Sequence, residues 1–219
     1  MTRDEFLTAL DAIVAEKHLL KHPFYQLWSQ GKLTRENLRE YAISYYPHVA
    51  AFPTYVSGVH SGCEDAALRQ ELLENLIEEE RGPENHPELW LRFCEALGLD
   101  RGEVENAQPN DATRALIGCM HSLARDGGLH EGLAALYSYE SQVPDVAKAK
   151  IDGLAKWYGV EAPAFFTVHM DADVAHSQTS RDLLNRLCDS PSKTAEARAA
   201  SSRTLSALYG FLDTCATMA

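Results

Sequence analysis

Several kinds of protein are excluded by what this chain lacks. There is no strand signal, because no run of β-branched residues alternates with polar ones between turn residues. No apolar run approaches the length that spans a bilayer. Cys63, Cys94, Cys119, Cys188 and Cys215 are odd in number and widely spaced, without a Cys-x-x-Cys pair. Neither a disulfide framework nor a zinc knuckle is indicated, and reduced, partly buried thiols are expected. Residues 1–20 carry charges throughout and lack the apolar stretch of a secretory leader. Basic charge is scarce: 20 Lys and Arg face 32 Asp and Glu, a formal net charge of −12. Phosphate binding wants a basic surface, so nucleic acid is not an expected partner. A cytoplasmic chain without a membrane partner is expected.

What is present is helical periodicity from end to end. With 219 residues and 45% hydrophobic content, one domain over 1–219 with a sizeable core is predicted. A first helix is read over 4–20, and a short second one in "HPFYQLWSQG", ending at Gly31. Thr34, with Asn37 three residues on, caps a long helix that contains Pro47 and Pro53 and should kink there. Residues 64–82 form a strong helix, and "HPELWLRFCEALGL" a further one with Pro87 in its first turn. "DRGEVENAQPND" reads as the clearest loop. A helix over "DATRALIGCMHSLARDGG" ends on two glycines. A long helix from Leu129 to Gly159 contains Pro144. Helices over 161–188 and 191–216 complete the set, the last with Ser190 as N-cap and Pro191 at its first position. The fold class is all-α, a bundle of seven or more helices.

The stretch "HMDADVAH", residues 169–176, concentrates chemistry. On a helix, His169, Asp173 and His176 fall within roughly 60° of one another, whereas Asp171 lies off that stripe and reads as solvated. A polar stripe is also what the wet side of a helix looks like, but this one holds only imidazole and carboxylate. In "NLIEEERGPENHPELW", Glu79 and His86 share a face if the helix continues through Gly82 and Pro83. Glu78, Glu80, Glu84 and Glu88 read as an acidic, solvated face. Glu140 sits in the apolar and aromatic stretch "LAALYSYESQV", where a carboxylate is unfavourable unless paired or bound to a cation. Pro144 offers no N–H to its carbonyl, so a helix distortion is expected at that residue. Three carboxylates and three imidazoles suit iron or manganese, with zinc also open, and two cations would offset the carboxylate repulsion. The Glu-x-x-His pair of ferritin-type bundles is absent.

Glu-x6-His, a lone Glu, then His-x3-Asp-x2-His on helices resembles the haem-oxygenase-like di-metal oxidases. "FYQLWSQGKL" and "ALYSYESQVP" resemble their folate-associated branch, named for the chlamydial protein associating with death domains. The resemblance spans nearly the whole chain, with no departure at a ligand position. It implies that Glu79, His86, Glu140, His169, Asp173 and His176 hold two divalent metals, Fe/Fe or Fe/Mn. It implies O₂ as co-substrate, an external reductant, and formation of para-aminobenzoate for folate from a tyrosine of the protein itself. The sacrificed ring maps to Tyr25, helper tyrosines to Tyr41 and Tyr139, and the suspected amino donor to Lys150. The residues alone give Tyr25 no better claim than Tyr45 or Tyr46. Tyr139 adjoins Glu140 but points about 100° away from it, toward a pocket wall, and Lys150 in "KAK" reads as solvated. Bundles of this type often pair, so a homodimer is expected, with an unidentified reductant protein as a further partner. Other readings stay open: oxidation of an external small amine or acid, a metal-free thiaminase-type enzyme using Cys119, or a protein-interaction module.

Overall fold

The computed structural model describes residues 2–161 and 163–217, apart from the side chains at 171, 172, 174 and 175. Asp171 therefore lies outside the described side chains. Among the described residues there are eleven α-helices and no strand, so the all-α expectation holds.

The N-terminal helix α1 spans Arg3–Glu16, and Thr2 and Glu5 close a reciprocal capping box in front of it. It stops before residue 20: His18 starts a separate 3₁₀ turn, Leu19–Lys21. Helix α2, Pro23–Ser29, begins at Pro23 with His22 as N-cap. His22 is buried. Its Nδ1 accepts from Phe24 N–H, and its Nε2 lies 3.1 Å from Asp213 Oδ1. That cap sets the direction in which Tyr25 enters the core. Helix α3, Arg35–Ser61, starts at the Thr34–Asn37 box and runs through Pro47 and Pro53 as one element.

Helix α4, Ala66–Glu80, and helix α5, His86–Ala96, are separated by a turn at Gly82. Gly82 has φ +87°, a left-handed conformation that favours glycine. The helix does not continue through Pro83, so Glu79 and His86 share no helical face. The predicted loop at 100–111 holds a short helix, α6, Arg101–Glu105, with Asp100 as N-cap. A five-residue element is too short to show a periodicity, which is why the polar composition read as loop. Helix α7, Asp111–His121, runs on through a π turn to Asp126 before the two glycines.

The long helix predicted from Leu129 is two helices, α8, Leu129–Glu140, and α9, Val143–Gly153, followed by a π turn, Leu154–Tyr158. Pro144 stands in the first turn of α9. The expected distortion at Glu140 is thus a full break. Gln142 stitches it: its Nε2 donates to Ser138 O, and its Oε1 accepts from Leu19 N–H at 2.7 Å. Helices α10, Ala164–Leu187, and α11, Pro191–Ala216, close the bundle, α11 with the predicted Ser190 cap. Helix α8 packs against both α10 and α11, and α9 against α10 and α2. Gly153 lets α9 come close to α2, since a Cβ there would lie 2.6 Å from the Trp28 ring. Among the described residues no helix is long and apolar enough to cross a membrane.

Candidate metal centre and aromatic chamber

The six predicted ligands come together in two groups of three. Glu79, His86 and His169 each place a donor atom within 4.8 Å of the others, and so do Glu140, Asp173 and His176. All are buried except the partly buried His176. Four separate elements supply them. Glu79 comes from the last turn of α4, His86 from the first residue of α5, Glu140 from the end of α8, and the remaining three from α10. The α10 stripe faces inward as its spacing predicts. Glu79 and His86 meet for another reason: the Gly82 turn folds α5 back, bringing His86 Nδ1 to 2.9 Å from Glu79 Oε2.

The donor atoms fit a cation. His86 Nδ1, Glu140 Oε2, Asp173 Oδ2 and His176 Nδ1 are buried without a hydrogen-bond partner. His86 Nδ1 approaches Glu79 closely but not along a hydrogen-bond direction, as two ligands do when they converge on one point. Buried polar atoms are rarely left in this condition. Electrostatics agree. Burial, together with repulsion from Glu79, pushes Glu140 up to about 8 against a lowering hydrogen bond from Asn75. Asp173 is held well above the usual carboxylate range by burial, with Glu140, Glu79 and Glu78 adding to it. Burial, and then His86, hold His169 far below the usual imidazole range. Unassisted, the pocket drives these acids and this base toward neutral forms, and a bound cation reverses the preference for the carboxylates.

Outer partners fix the ligands. His169 Nδ1 bonds the Phe165 carbonyl one turn back, which leaves Nε2 for the site. Asn75 Nδ2 donates to Glu140 Oε1 at 2.8 Å. Asn75 escaped sequence reasoning, because asparagine on a helix is ordinarily exposed. The available signal was its place one turn before Glu79. Glu78, read as solvated, reaches His176 Nε2 at 3.3 Å while remaining half exposed. Glu88 and Glu84 do face outward, toward Arg92, and Glu88 also pairs with Arg101.

Beside the donors lies an aromatic chamber. Lys150 is buried, not solvated. Its Nζ donates to Tyr41 Oη at 2.6 Å. The rings of Tyr25, Tyr41, Tyr45, Trp90 and Phe166 surround that nitrogen, with centroids 4.9 to 5.7 Å away. Burial pushes Lys150 down to about 7. Tyr139 bonds Tyr45 at 2.9 Å through the hydroxyls and lines both the chamber and the donor pocket, as does Phe165. Tyr45 belongs to the chamber, whereas Tyr46 is only partly buried. Cys119 lies elsewhere: burial raises its thiol, and the nearby His121 is taken by Thr54 at 2.8 Å.

The fold is haem-oxygenase-like, and the chain belongs to the family described as iron-containing redox enzyme, whose pattern matches residues 39–209. It is an enzyme of that redox class. Within it, the chain is 44% identical to the 4-aminobenzoate synthase of Nitrosomonas europaea, over 97% of this chain and 92% of that protein. It is 46% identical to the 4-aminobenzoate synthase of Chlamydia muridarum, over 95% of this chain and 89% of the other. A CADD-like protein of unknown function from Nostoc punctiforme has the same fold, with a TM-score of 0.80 at 19% identity, covering 99% of this chain and 98% of that one.

Proposed function

We propose that this chain forms 4-aminobenzoate for folate synthesis in an O₂-dependent, single-turnover reaction that consumes its own Tyr25. The names of its relatives supply the product. One observation carries the rest: a buried amine of lowered basicity lies among buried phenols, in a chamber that shares Tyr139 and Phe165 with the metal donors. On this reading Glu79, His86 and His169 hold one divalent metal, and Glu140, Asp173 and His176 a second. The pair, Fe/Fe or Fe/Mn, supplies redox chemistry toward O₂ with electrons from an external reductant. Carboxylate-rich donors suit manganese and imidazole-rich donors suit iron, so the two groups differ in the sense a mixed pair needs.

The residues of the chain do the remaining work. Tyr25 supplies the ring and Lys150 the amino nitrogen. A lysine held near neutrality keeps its lone pair available. Tyr41 positions that amine through its hydroxyl, and Tyr139 with Tyr45 forms the wall toward the metals. The chamber and the donor pocket offer only about 20 and 10 Å³ to the centre of a small ligand, room for little more than a water molecule. An external aromatic substrate finds no space there, which supports an internal ring. The protein is read as a cytoplasmic homodimer served by a reductant protein.

Intact mass before and after reaction with iron, manganese, reductant and O₂ tests this, with 4-aminobenzoate assayed alongside. Loss of a tyrosine side chain mapped to residue 25 is the expected result, and Tyr25→Phe should give no product while keeping its metals. Product with unchanged mass would sink the self-consuming reading. It would turn attention to the groove beside His86, lined by Ile77, Arg81, Pro83 and Val168, whose volume of about 770 Å³ admits an external substrate.

A further inference from the structure

One buried histidine is used by neither region. His48, on α3, is 1% exposed. It lines the small donor pocket together with Val49, Phe52 and Phe165 and with the ligands Glu79, His86 and His169. The rings of Tyr45, Phe52, Tyr55 and Tyr139 pack around it at centroid distances of 5.0 to 6.2 Å. Its Nδ1 faces the Tyr55 hydroxyl at 3.3 Å. Its Nε2 is buried and has no hydrogen-bond partner. A buried polar atom in that state points to a ligand.

Tyr55 decides which ring nitrogen carries the hydrogen. Burial raises the Tyr55 phenol, which keeps its proton, and a phenol donates better than it accepts. Burial also holds the imidazole neutral, its pKa pushed down to about 3. A neutral imidazole that accepts at Nδ1 bears its hydrogen on Nε2. The open atom is therefore an N–H donor beside a pocket with apolar walls, next to the metal donors.

Given the O₂-dependent reading above, on which this rests, we propose that this pocket admits and holds dioxygen. His48 Nε2–H is its hydrogen-bond donor, and Tyr55 is the positioning residue that fixes the tautomer. Apolar walls suit an uncharged diatomic gas. A fixed donor of low mobility suits the negative charge that develops as the gas takes up electrons. The volume of about 10 Å³ available to a ligand centre is about that of one water-sized sphere, so only the smallest of molecules can lodge beside Nε2.

Nitric oxide is the probe. The iron(II)-loaded chain is titrated with it and followed by electron paramagnetic resonance, with iron content measured on the same samples. His48→Leu should keep its iron and bind nitric oxide about tenfold more weakly, the size of one hydrogen bond. His48→Gln retains an N–H donor and should stay within about threefold of the unaltered chain. Unchanged affinity in His48→Leu with iron retained overturns the role of His48 and leaves the O₂-dependent reading standing. Failure of the loaded, unaltered chain to bind nitric oxide overturns both. Should His48→Leu not fold, Tyr55→Phe decides: weaker binding with iron retained supports the donor tautomer, and unchanged binding overturns it.

Discussion

Glu140 and Lys150 stand on either side of one helix break. Both are buried and ionisable, and burial drives both toward their neutral forms, each to within about a unit of pH 7 or 8. Their surroundings then differ. Around Glu140 the protein gathers further carboxylates and leaves donor atoms without partners. Around Lys150 it gathers a phenol oxygen and five ring faces, and the nitrogen is satisfied within the fold. The first region is built to receive positive charge from outside. The second lowers the basicity of an amine by burial alone, to about 7, while ring faces and a phenol oxygen leave its charged form within reach. A buried ionisable group alone tells neither purpose; its unsatisfied neighbours do.

The contrast can be broken most completely at Glu140. Glu140→Ala should abolish occupancy of its metal group and all product, while far-ultraviolet circular dichroism stays helical. Metal content near that of the unaltered chain would refute the assignment of the donors. A graded version is Asn75→Ala, which removes only the hydrogen bond to Glu140 Oε1. Loss of an outer partner of this kind typically weakens metal binding 10- to 100-fold, measurable by competition with a chelator. No change would mean that Glu140 needs no positioning.

The smallest effect sharpens the other side. Lys150→Met keeps the length of the side chain and removes the charge. It should raise the thermal midpoint at pH 7 by roughly 5 °C. The sign follows from linkage. The folded pKa of about 7 lies below the ordinary 10.5. Between those values the unfolded chain binds a proton that the folded chain does not, so stability of the unaltered protein rises with pH across that window. The variant should lack that slope. A slope present in both would place the titrating group elsewhere.

Much of this was legible in the sequence, for reasons that differ by residue. The α10 stripe was readable because one unbroken helix carries His169, Asp173 and His176, and periodicity alone sets their facing. Glu79 and His86 were found through their spacing, yet the shared helical face expected for them does not exist. A glycine turn brings them together, and turns carry no periodicity. Pro144 announced a disturbance at Glu140, but whether a proline bends a helix or starts a new one depends on what can satisfy the freed carbonyls. Here Gln142 does so from its side chain. Lys148 and Lys150 show the limit most plainly. In the tripeptide "KAK" one lysine is exposed and pairs with Asp152 at 2.8 Å, and the other is enclosed by aromatic rings. Helical phase puts Lys150 on the buried face with Val143, Val146 and Ala147 and Lys148 across from it, but what encloses Lys150 is set by the close approach of α9 to α2 over Gly153. Asn75 was invisible because its partner Glu140 stands on another helix, and His48 because the pocket beside it is completed by other helices.

The burial of Tyr25, 3% exposed among Phe24, Tyr41 and the hydrophobic core, carries a consequence for the life of the molecule. A protein that gives up that ring is left with a hole where a large side chain was packed. Emptying a core site of this size costs about 3–5 kcal/mol, against a total native stability of about 5–15 kcal/mol. If the proposed reaction consumes Tyr25, a molecule that has reacted would lose a substantial part of that stability, and cellular proteases act on chains that open. Completion of the reaction would mark the used copy for removal, with no tag other than its own weakened core.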